Sequence, residues 1–310
     1  MLFRSTKCKC DIDPSKGLNT QGWCQFYFSP SVFLNTMSEE DITYEVRGKT
    51  AIITLNIPKA LNALNGEQYL KLGKFVEEAN EEEETVMTLI QSSGRYFSAG
   101  ANFVDNSIAN ASAADMFSHE FWLGRFVARN VWLTDVFSNH KKILAAAVNG
   151  PVIGLSTGLL ALCDLIYVKE EKDFFLLAPF ANLGLVAEGG SSATLFHRLG
   201  WSLASEALLL ARPISGKDLN RVGFINRTFD GQFKTTEEFN EHIYKMLTEQ
   251  FETLHEDSIF KIKQLLKANR DQVINSANSA EVVRGFYKWL EGVPQSRFVQ
   301  LAQKDIKHKM

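Results

Sequence analysis

A run of 21 residues without a charge, from Ile143 to Cys163, is the strongest constraint on how this chain folds. About 20 apolar residues are enough for a helix to cross a bilayer, so the run could be a membrane span. Asn149-Gly150-Pro151 and Gly154 interrupt it, however, and Asp164 follows it directly. Because proline and glycine break a continuous helix, we expect a buried strand, a turn and a buried helix, with no membrane span.

The composition favours a protein with a sizeable core. The chain has 310 residues, of which 45% are hydrophobic and 22% charged, which excludes a wholly disordered, collagen-like or coiled-coil protein. This length favours one large α/β domain with an appendage, and the alternative is two domains of average size. The net charge of -3 provides no overall basic field, so we expect no nucleic-acid partner, and any anion site must be built locally.

A strand–helix–strand pattern opens the regular part of the chain. Residues 50–56 are rich in β-branched side chains and end before Pro58, which predicts a strand. Apolar residues at helical spacing follow from Gly66 up to the acidic run 81–84, and residues 86–91 are a second buried strand. This order predicts a right-handed parallel crossover, the unit of an α/β fold.

The later segments predict an α/β body with an α-helical C-terminal third. A helix is predicted over 117–137 and a third strand over 143–148. The helices predicted beyond residue 236 are 239–254, 259–268 and 282–290.

The first 36 residues follow no regular period. Cys8, Cys10 and Cys24 lie there, without the paired C-x-x-C spacing or the nearby histidine of a metal site, so we expect no metal. The predicted division of the chain is an irregular N-terminal arm at 1–36, a core at 37–236 and a helical C-terminal region at 237–310.

Two glycine-containing loops follow predicted strands. The first runs from Gln91 to Phe103 and the second from Asn149 to Leu155. Small residues at the end of a strand let a ligand approach the backbone, where free N–H groups can bind an oxyanion. The alternative is that both are ordinary turns.

Ser156 is a first candidate catalytic residue. It lies in Gly154-Leu-Ser-Thr-Gly158, which fits the G-x-S-x-G pattern of serine hydrolases. Histidines follow in the chain order that a catalytic triad needs, at His197, His242 and His255. The residues between the strand and Ser156 do not fit the sharp turn of such enzymes, so the alternative is close packing of small residues.

Glu188 is a second candidate, flanked by apolar residues and by Gly189 and Gly190. A carboxyl group in apolar surroundings has a raised pKa and can exchange a proton near neutrality. The alternative is a glutamate in the first turn of a helix.

Taken together, these motifs resemble the crotonase superfamily, also called the enoyl-CoA hydratase/isomerase family, from about Ile42 to the C-terminus. The motifs are Asn62-Ala-Leu64, Phe97-Ser-Ala-Gly-Ala-Asn-Phe103, Asn149-Gly-Pro-Val-Ile-Gly-Leu155 and Cys163-Asp164. The chain looks most similar to fungal peroxisomal Δ3,Δ2-enoyl-CoA isomerases, in Gln91-Ser-Ser-Gly94, Phe180-Ala-Asn-Leu-Gly184 and Glu188-Gly-Gly190. The resemblance implies a spiral of ββα repeats with an α-helical C-terminal region, assembled as a homotrimer or a hexamer built from two trimers.

The resemblance also implies a site and a reaction. Backbone N–H groups of Ala101 and Leu155 would hold the thioester oxygen of an acyl-CoA, and Glu188 would move a proton from C2 of a 3-enoyl-CoA to C4. No cofactor is expected, because coenzyme A is part of the substrate. The residues implied in substrate binding are Ala99, Gly100, Ala101, Asn102, Phe103, Leu155 and Phe298.

Other positions refine this expectation. Hydratases of the family carry a further carboxylate where this chain has Gly158, which disfavours hydration and also a Δ3,5-Δ2,4-dienoyl-CoA isomerase, the main alternative within the family. Asn102 and Ala187 replace a commoner aspartate and threonine. Arg297 or Lys304 would contact the CoA phosphates.

The C-terminal tripeptide His308-Lys309-Met310 resembles the S-K-L peroxisomal signal. It predicts a peroxisomal location and binding by the import receptor.

Overall fold

The computed structural model describes residues 40–102, 111–112, 114–303 and 305–306. The predictions for the arm at 1–36, for Phe103, for Lys304 and for the tripeptide at 308–310 therefore lie outside the described residues. The boundaries proposed at residues 36 and 236 stay predictions.

A six-stranded sheet forms the centre of the fold, in the order β1-β2-β3-β4-β6-β9. Its strands are β1 Ile42–Arg47, β2 Thr50–Leu55, β3 Met87–Ser92, β4 Ile143–Val148, β6 Leu165–Val168 and β9 Arg227–Thr228. β1 pairs antiparallel with β2, and every other neighbouring pair is parallel. The predicted parallel crossover from β2 to β3 is confirmed. The sequence did not predict β1, a strand at the edge of the sheet whose side chains are largely exposed or half-buried.

A smaller sheet brings the two glycine-containing loops together. Its strands are β5 Val152–Ile153, β7 Phe175–Leu177 and β8 Ile214–Ser215, in the order β5-β7-β8. Isolated parallel bridges join Leu64 to Ala101 and Ser98 to Val152. The loop after β3 therefore runs beside the loop after β4.

Helices flank the main sheet and make up the C-terminal part of the chain. They are α1 Gly66–Glu81, α2 His119–Trp122, α3 Arg129–Ser138, α4 Leu155–Leu162, α5 Ser191–Leu209, α6 Gly216–Arg221, α7 Thr236–Phe251, α8 Glu256–Ala268, α9 Asp271–Leu290 and α10 Val293–Ala302. A π-helical stretch at Leu123–Ala128 joins α2 to α3, where one continuous helix was predicted. The predicted helical C-terminal third is confirmed. The helix α9 begins at Asp271, well before the predicted start at residue 282. Its first half was not predicted because the mostly polar residues at 275–279 interrupt the apolar pattern.

The uncharged run from 143 to 163 forms the predicted strand, β4, and the predicted buried helix, α4, and the segment predicted as a turn also contains the short strand β5. β4 lies between β3 and β6, and every residue of α4 is buried. Within the described ranges, no helix combines the length and the hydropathy needed to cross a membrane. The lack of charge therefore reflects the centre of the core.

Candidate active site

The two loops approach each other so closely that only glycine fits at the contact. Gly100 has a φ of +86°, and a Cβ there would lie 2.6 Å from the carbonyl oxygen of Ile153. On the other side, Ala99 donates its N–H to the carbonyl of Leu61 at 2.9 Å. The backbone at Gly100 is thus held between two segments, next to the start of α4.

Buried amide side chains fix the first loop. Asn62 is fully buried, and its Nδ2 donates to the carbonyl oxygens of Ser93 at 2.9 Å and Tyr96 at 2.8 Å. Asn149 donates from Nδ2 to the carbonyl of Gly94 at 2.6 Å. A loop that contains several small residues is thereby held in one conformation.

Backbone pairing leaves two N–H groups unused at the meeting point. Leu64 donates to the carbonyl of Gly100, and Asn102 donates to the carbonyl of Leu64, both at 2.8 Å. The N–H of Ala101, between these two bonds, has no partner within the described residues. The N–H of Leu155, at the first position of α4, is likewise without a partner in that part of the chain, as is usual in the first turn of a helix.

Glu188 carries a buried carboxyl group in the loop that precedes α5 and is 8% exposed. Its Oε2 accepts a hydrogen bond of 3.2 Å from Nδ2 of Asn130 on α3. Burial raises the pKa of Glu188 to about 7, and the negative charge of Glu281 also raises it, whereas Arg129 and Asn130 act to lower it. At neutral pH this carboxyl group therefore exists in comparable amounts with and without its proton, as a proton-transfer group requires.

The backbone of Glu188 packs directly on α4. A Cβ at Gly158 would lie 2.9 Å from the carbonyl oxygen of Glu188 and 2.8 Å from that of Gly189, which leaves no space for a side chain. A Cβ on Gly189 would lie 3.0 Å from Cδ1 of Leu155. Glu188 therefore lies near the second free N–H, and position 158 cannot hold a further carboxylate.

Ser156 belongs to a chain of hydroxyl groups. Its Oγ is 2.8 Å from Oγ of Ser98 and 3.3 Å from the hydroxyl of Tyr69, whose pKa burial raises to about 12. Ser98 in turn donates to the carbonyl of Asn62 at 2.9 Å. In the part of the chain that the structure describes, no histidine hydrogen-bonds Ser156, so the triad that a serine hydrolase needs is not assembled there.

The C-terminal residues expected at the CoA end are held by other contacts. Phe298 on α10 is buried, and its ring stacks on that of Trp289 with centroids 6.2 Å apart. Arg297 donates from Nε to the carbonyl of Asn182 at 2.8 Å. Contact of these residues with CoA stays a prediction.

Three residues of this site were not predicted from the sequence: Asn130, Tyr69 and Glu281. Asn130 is fully buried on a helix face that it shares with the apolar residues Phe126 and Leu133. Asn130 could have been predicted from the sequence, because a polar residue at an apolar position of a helix indicates a specific buried contact. Glu281 gave no comparable signal, because its partners are backbone groups far away in the sequence.

Known proteins define the class to which this chain belongs. The sequence model of the enoyl-CoA hydratase/isomerase family matches residues 45–295. The chain is 40% identical over 273 residues to the 3,2-trans-enoyl-CoA isomerase of Saccharomyces cerevisiae, an alignment that covers 87% of this chain and 97% of the relative. It is 36% identical over 283 residues to a Delta(3,5)-Delta(2,4)-dienoyl-CoA isomerase of Pyricularia oryzae, covering 86% and 98% of the two chains.

A solved structure gives the same result for the fold. The enoyl-CoA hydratase/isomerase of Pseudoalteromonas atlantica superimposes with a TM-score of 0.72 at 22% identity, over 87% of this chain and 100% of that one. This chain therefore belongs to the enoyl-CoA hydratase/isomerase family and has the predicted crotonase fold. Within that family it is an isomerase.

Proposed function

We propose that this protein is a Δ3,Δ2-enoyl-CoA isomerase, which moves the double bond of a 3-enoyl-CoA to the trans-2 position in fatty-acid β-oxidation. The observation that carries the proposal is one buried carboxyl group, Glu188, with a pKa of about 7, in a loop that packs on Leu155 at the start of α4. The N–H groups of Leu155 and Ala101 have no partner within the described residues. The similarity to the 3,2-trans-enoyl-CoA isomerase of S. cerevisiae supports this substrate class.

In the proposed reaction, Glu188 removes a proton from C2. The C2–H bond breaks, its electrons delocalise over the former double bond and the thioester, and negative charge develops on the thioester oxygen. The N–H groups of Ala101 and Leu155 stabilise that charge; loss of one such donor costs about 10² to 10³ in rate. Glu188 then returns the proton to C4. One base suffices because C2 and C4 present the same face to it, and no cofactor is needed because the CoA thioester belongs to the substrate.

Asn130 and Arg129 would orient Glu188 and favour its ionised form. Asn130 occupies Oε2 of the carboxylate, while Oε1 has no hydrogen-bond partner among the described residues and is available for the proton. Arg129 favours the ionised form of Glu188 by its charge. Asn130 thus orients the base, and Arg129 keeps burial from raising the pKa of Glu188 further.

A Δ3,5-Δ2,4-dienoyl-CoA isomerase is the second candidate, since a relative with that name is 36% identical to this chain. The family resemblance implies that this reaction uses a further acid. Glu281, the other carboxylate that influences Glu188, already accepts two backbone hydrogen bonds. This arrangement favours the reaction that needs one carboxylate.

Turnover of three substrates side by side tests the proposal. We expect 3-hexenoyl-CoA to be converted at least about a hundredfold more efficiently than 2-hexenoyl-CoA is hydrated, by the scale of one catalytic group. Preferred turnover of a 3,5-dienoyl-CoA would support the second candidate. Hydration as the main activity would contradict both.

We further propose that the enzyme assembles as a homotrimer or a dimer of trimers through its helical C-terminal region. Large apolar side chains on α8 are exposed to solvent, with Leu265 71%, Leu266 68% and Ile262 57% exposed. Exposed apolar groups at this density are typical of a surface that another chain covers.

The proposed compartment is the peroxisome, with His308-Lys309-Met310 as the signal for the import receptor. A fluorescent protein that ends in this tripeptide should colocalise with a peroxisomal marker. Diffuse fluorescence equal to that of a fusion without the tripeptide would contradict this assignment.

A further inference from the structure

Glu281 on α9 reaches the active-site loop from the C-terminal helices. It is a glutamate with only 5% of its surface exposed. Its Oε2 accepts from the N–H of Gly190 at 2.8 Å, and its Oε1 accepts from the N–H of Ser192 at 2.7 Å. Hydrogen bonds from N–H groups to a carboxylate are short and stronger than those between neutral groups. One side chain thus fixes the backbone two and four residues after Glu188.

That backbone has little rigidity of its own. Gly189 and Gly190 both adopt a φ of +70°, and glycine gives up more conformational freedom on ordering than any other residue. A Cβ on Gly190 would lie 3.2 Å from Cγ2 of Ile274, also on α9, so the same helix limits the loop on a second side. The position of Glu188 therefore depends on α9.

The charge of Glu281 is compensated locally. The two N–H groups belong to the start of α5, where the helix dipole places partial positive charge. Glu281 has no ion pair within the described residues, so its interactions are directed at the loop. A carboxylate buried in this way is costly unless its hydrogen bonds are satisfied.

We propose that Glu281 is a positioning residue of this enzyme, which holds the Gly189-Gly190 loop through two backbone hydrogen bonds and so sets the orientation of the Glu188 carboxylate. It does not touch the substrate. The proposal rests on the proposed function of Glu188. It adds Glu281, which lies outside the sequence motifs of the two loops, to the residues that the site requires.

The charge of Glu281 also affects the pKa of Glu188, which gives a second way to test the proposal. The groups that act on Glu188 are Arg129 and Asn130 on α3 and Glu281 on α9. Tyr69 on α1 also faces Glu188, and its pKa is raised mainly by burial and further by the charge of Glu188. Of these, Glu281 raises the pKa of Glu188 by its negative charge. Removal of that charge therefore lowers the pKa of Glu188, an effect that loss of packing alone does not predict.

Two substitutions separate geometry from charge. In Glu281→Gln one oxygen remains as an acceptor, but an amide N–H₂ faces the other backbone N–H. We expect kcat/KM for 3-hexenoyl-CoA to fall about tenfold to a hundredfold, mainly in kcat, with the acidic limb of its pH profile moved to lower pH. Glu281→Asp keeps the charge with a shorter reach, so kcat should fall while the acidic limb stays in place.

Asp164→Asn is the matched control. Asp164 is also a carboxylate with long-range contacts, since its Oδ2 accepts from the N–H of Leu144 at 2.7 Å and from Nζ of Lys263 at 2.6 Å, but these lie outside the Glu188 loop. At a comparable loss of melting temperature, Asp164→Asn should retain kcat and the wild-type pH profile. An equal loss of kcat in Asp164→Asn and Glu281→Gln, without any shift of the acidic limb, would overturn the proposal.

Amide hydrogen exchange tests the contact without reference to turnover. The N–H groups of Gly190 and Ser192 should exchange faster in Glu281→Gln than in the wild type, while the N–H of Leu144 is unchanged. Unchanged exchange at Gly190 and Ser192 would overturn the proposal even in an active isomerase. A wild-type protein without activity on any enoyl-CoA, but with the expected exchange, would instead refute the proposed function.

Discussion

At the scale of the residue, the surroundings of Glu188 set its pKa, and this pKa decides whether the residue can act as a base. Burial disfavours the charged form and is the largest influence on its pKa, while Arg129 and the hydrogen bond from Asn130 only partly oppose it. An ordinary exposed glutamate would be ionised but a weak base at neutral pH. The pKa of about 7 makes Glu188 a stronger base while a substantial fraction stays ionised.

This balance predicts how activity depends on pH. Glu188 must be ionised to accept a proton, so kcat/KM should rise with pH and level off above its pKa of about 7. At pH 6 about one tenth of the molecules carry the ionised form, so kcat/KM should be about a tenth of its plateau. Initial rates with 3-hexenoyl-CoA between pH 5 and pH 9 measure this. A profile that is flat down to pH 5 would contradict the assignment of Glu188 as the base.

Sequence patterns at this scale reveal Glu188 but not its surroundings. Glu188 has apolar neighbours and two following glycines, so a buried acid could be predicted from local sequence. Its contacts with Asn130 and its coupling to Glu281 join residues 58 and 93 positions away. Such contacts depend on how helices pack, and no local period encodes that packing.

At the scale of the element, the close packing of α4 against the Glu188 loop restricts position 158. The helix approaches the loop so closely that the carbonyl oxygens of Glu188 and Gly189 occupy the place of a side chain. The same contact brings the loop to Leu155, at the start of α4. A single element thus supplies one N–H group of the proposed oxyanion hole and excludes a second carboxylate.

Gly158→Ala should therefore damage the site. Its methyl group would displace the loop backbone, so we expect a loss of about 1–3 kcal/mol in the free energy of unfolding, together with reduced kcat. Thermal unfolding and turnover of 3-hexenoyl-CoA measure the two effects. Gly124→Ala is the control, because a Cβ there would meet no atom within 4 Å apart from the backbone of its own helix and its chain neighbours, and should leave both quantities near their wild-type values. Wild-type kcat in Gly158→Ala would contradict the close-packing argument.

The elements themselves could be predicted where burial gives a clear period. β2, α1, β3 and β4 have strong apolar patterns and were expected from the sequence. The edge strand β1 was missed because half of its residues face outward, and the start of α9 was missed because asparagines and serines dominate it.

At the scale of the whole molecule, the exposed apolar residues of α8 are a feature that a single chain does not explain. Leu265 and Leu266 are 71% and 68% exposed, which is unfavourable for side chains of this size in water. The sequence suggested assembly only through the family resemblance. Helical periodicity does not tell which face of α8 the core leaves uncovered.

We expect the combined substitution Leu265→Glu and Leu266→Glu to weaken assembly. Sedimentation should give three or six times the chain mass of 34.9 kDa for the wild type and a lower mass for the variant. Val46→Glu is the control, since Val46 is also an apolar residue, 41% exposed, but lies on the edge strand β1 and not on α8, and should leave the mass unchanged. A wild-type protein that sediments as a single chain would contradict the proposed assembly.

The most direct test of the account is the rate at which Glu188→Gln isomerises 3-hexenoyl-CoA. Glutamine keeps the size and the hydrogen-bond acceptor of the side chain but cannot take up the proton from C2. We expect kcat/KM to fall by about 10² to 10⁴, while Glu83→Gln, on the exposed acidic run, retains wild-type activity. A Glu188→Gln protein that isomerises 3-hexenoyl-CoA at the wild-type rate would contradict proton transfer by Glu188.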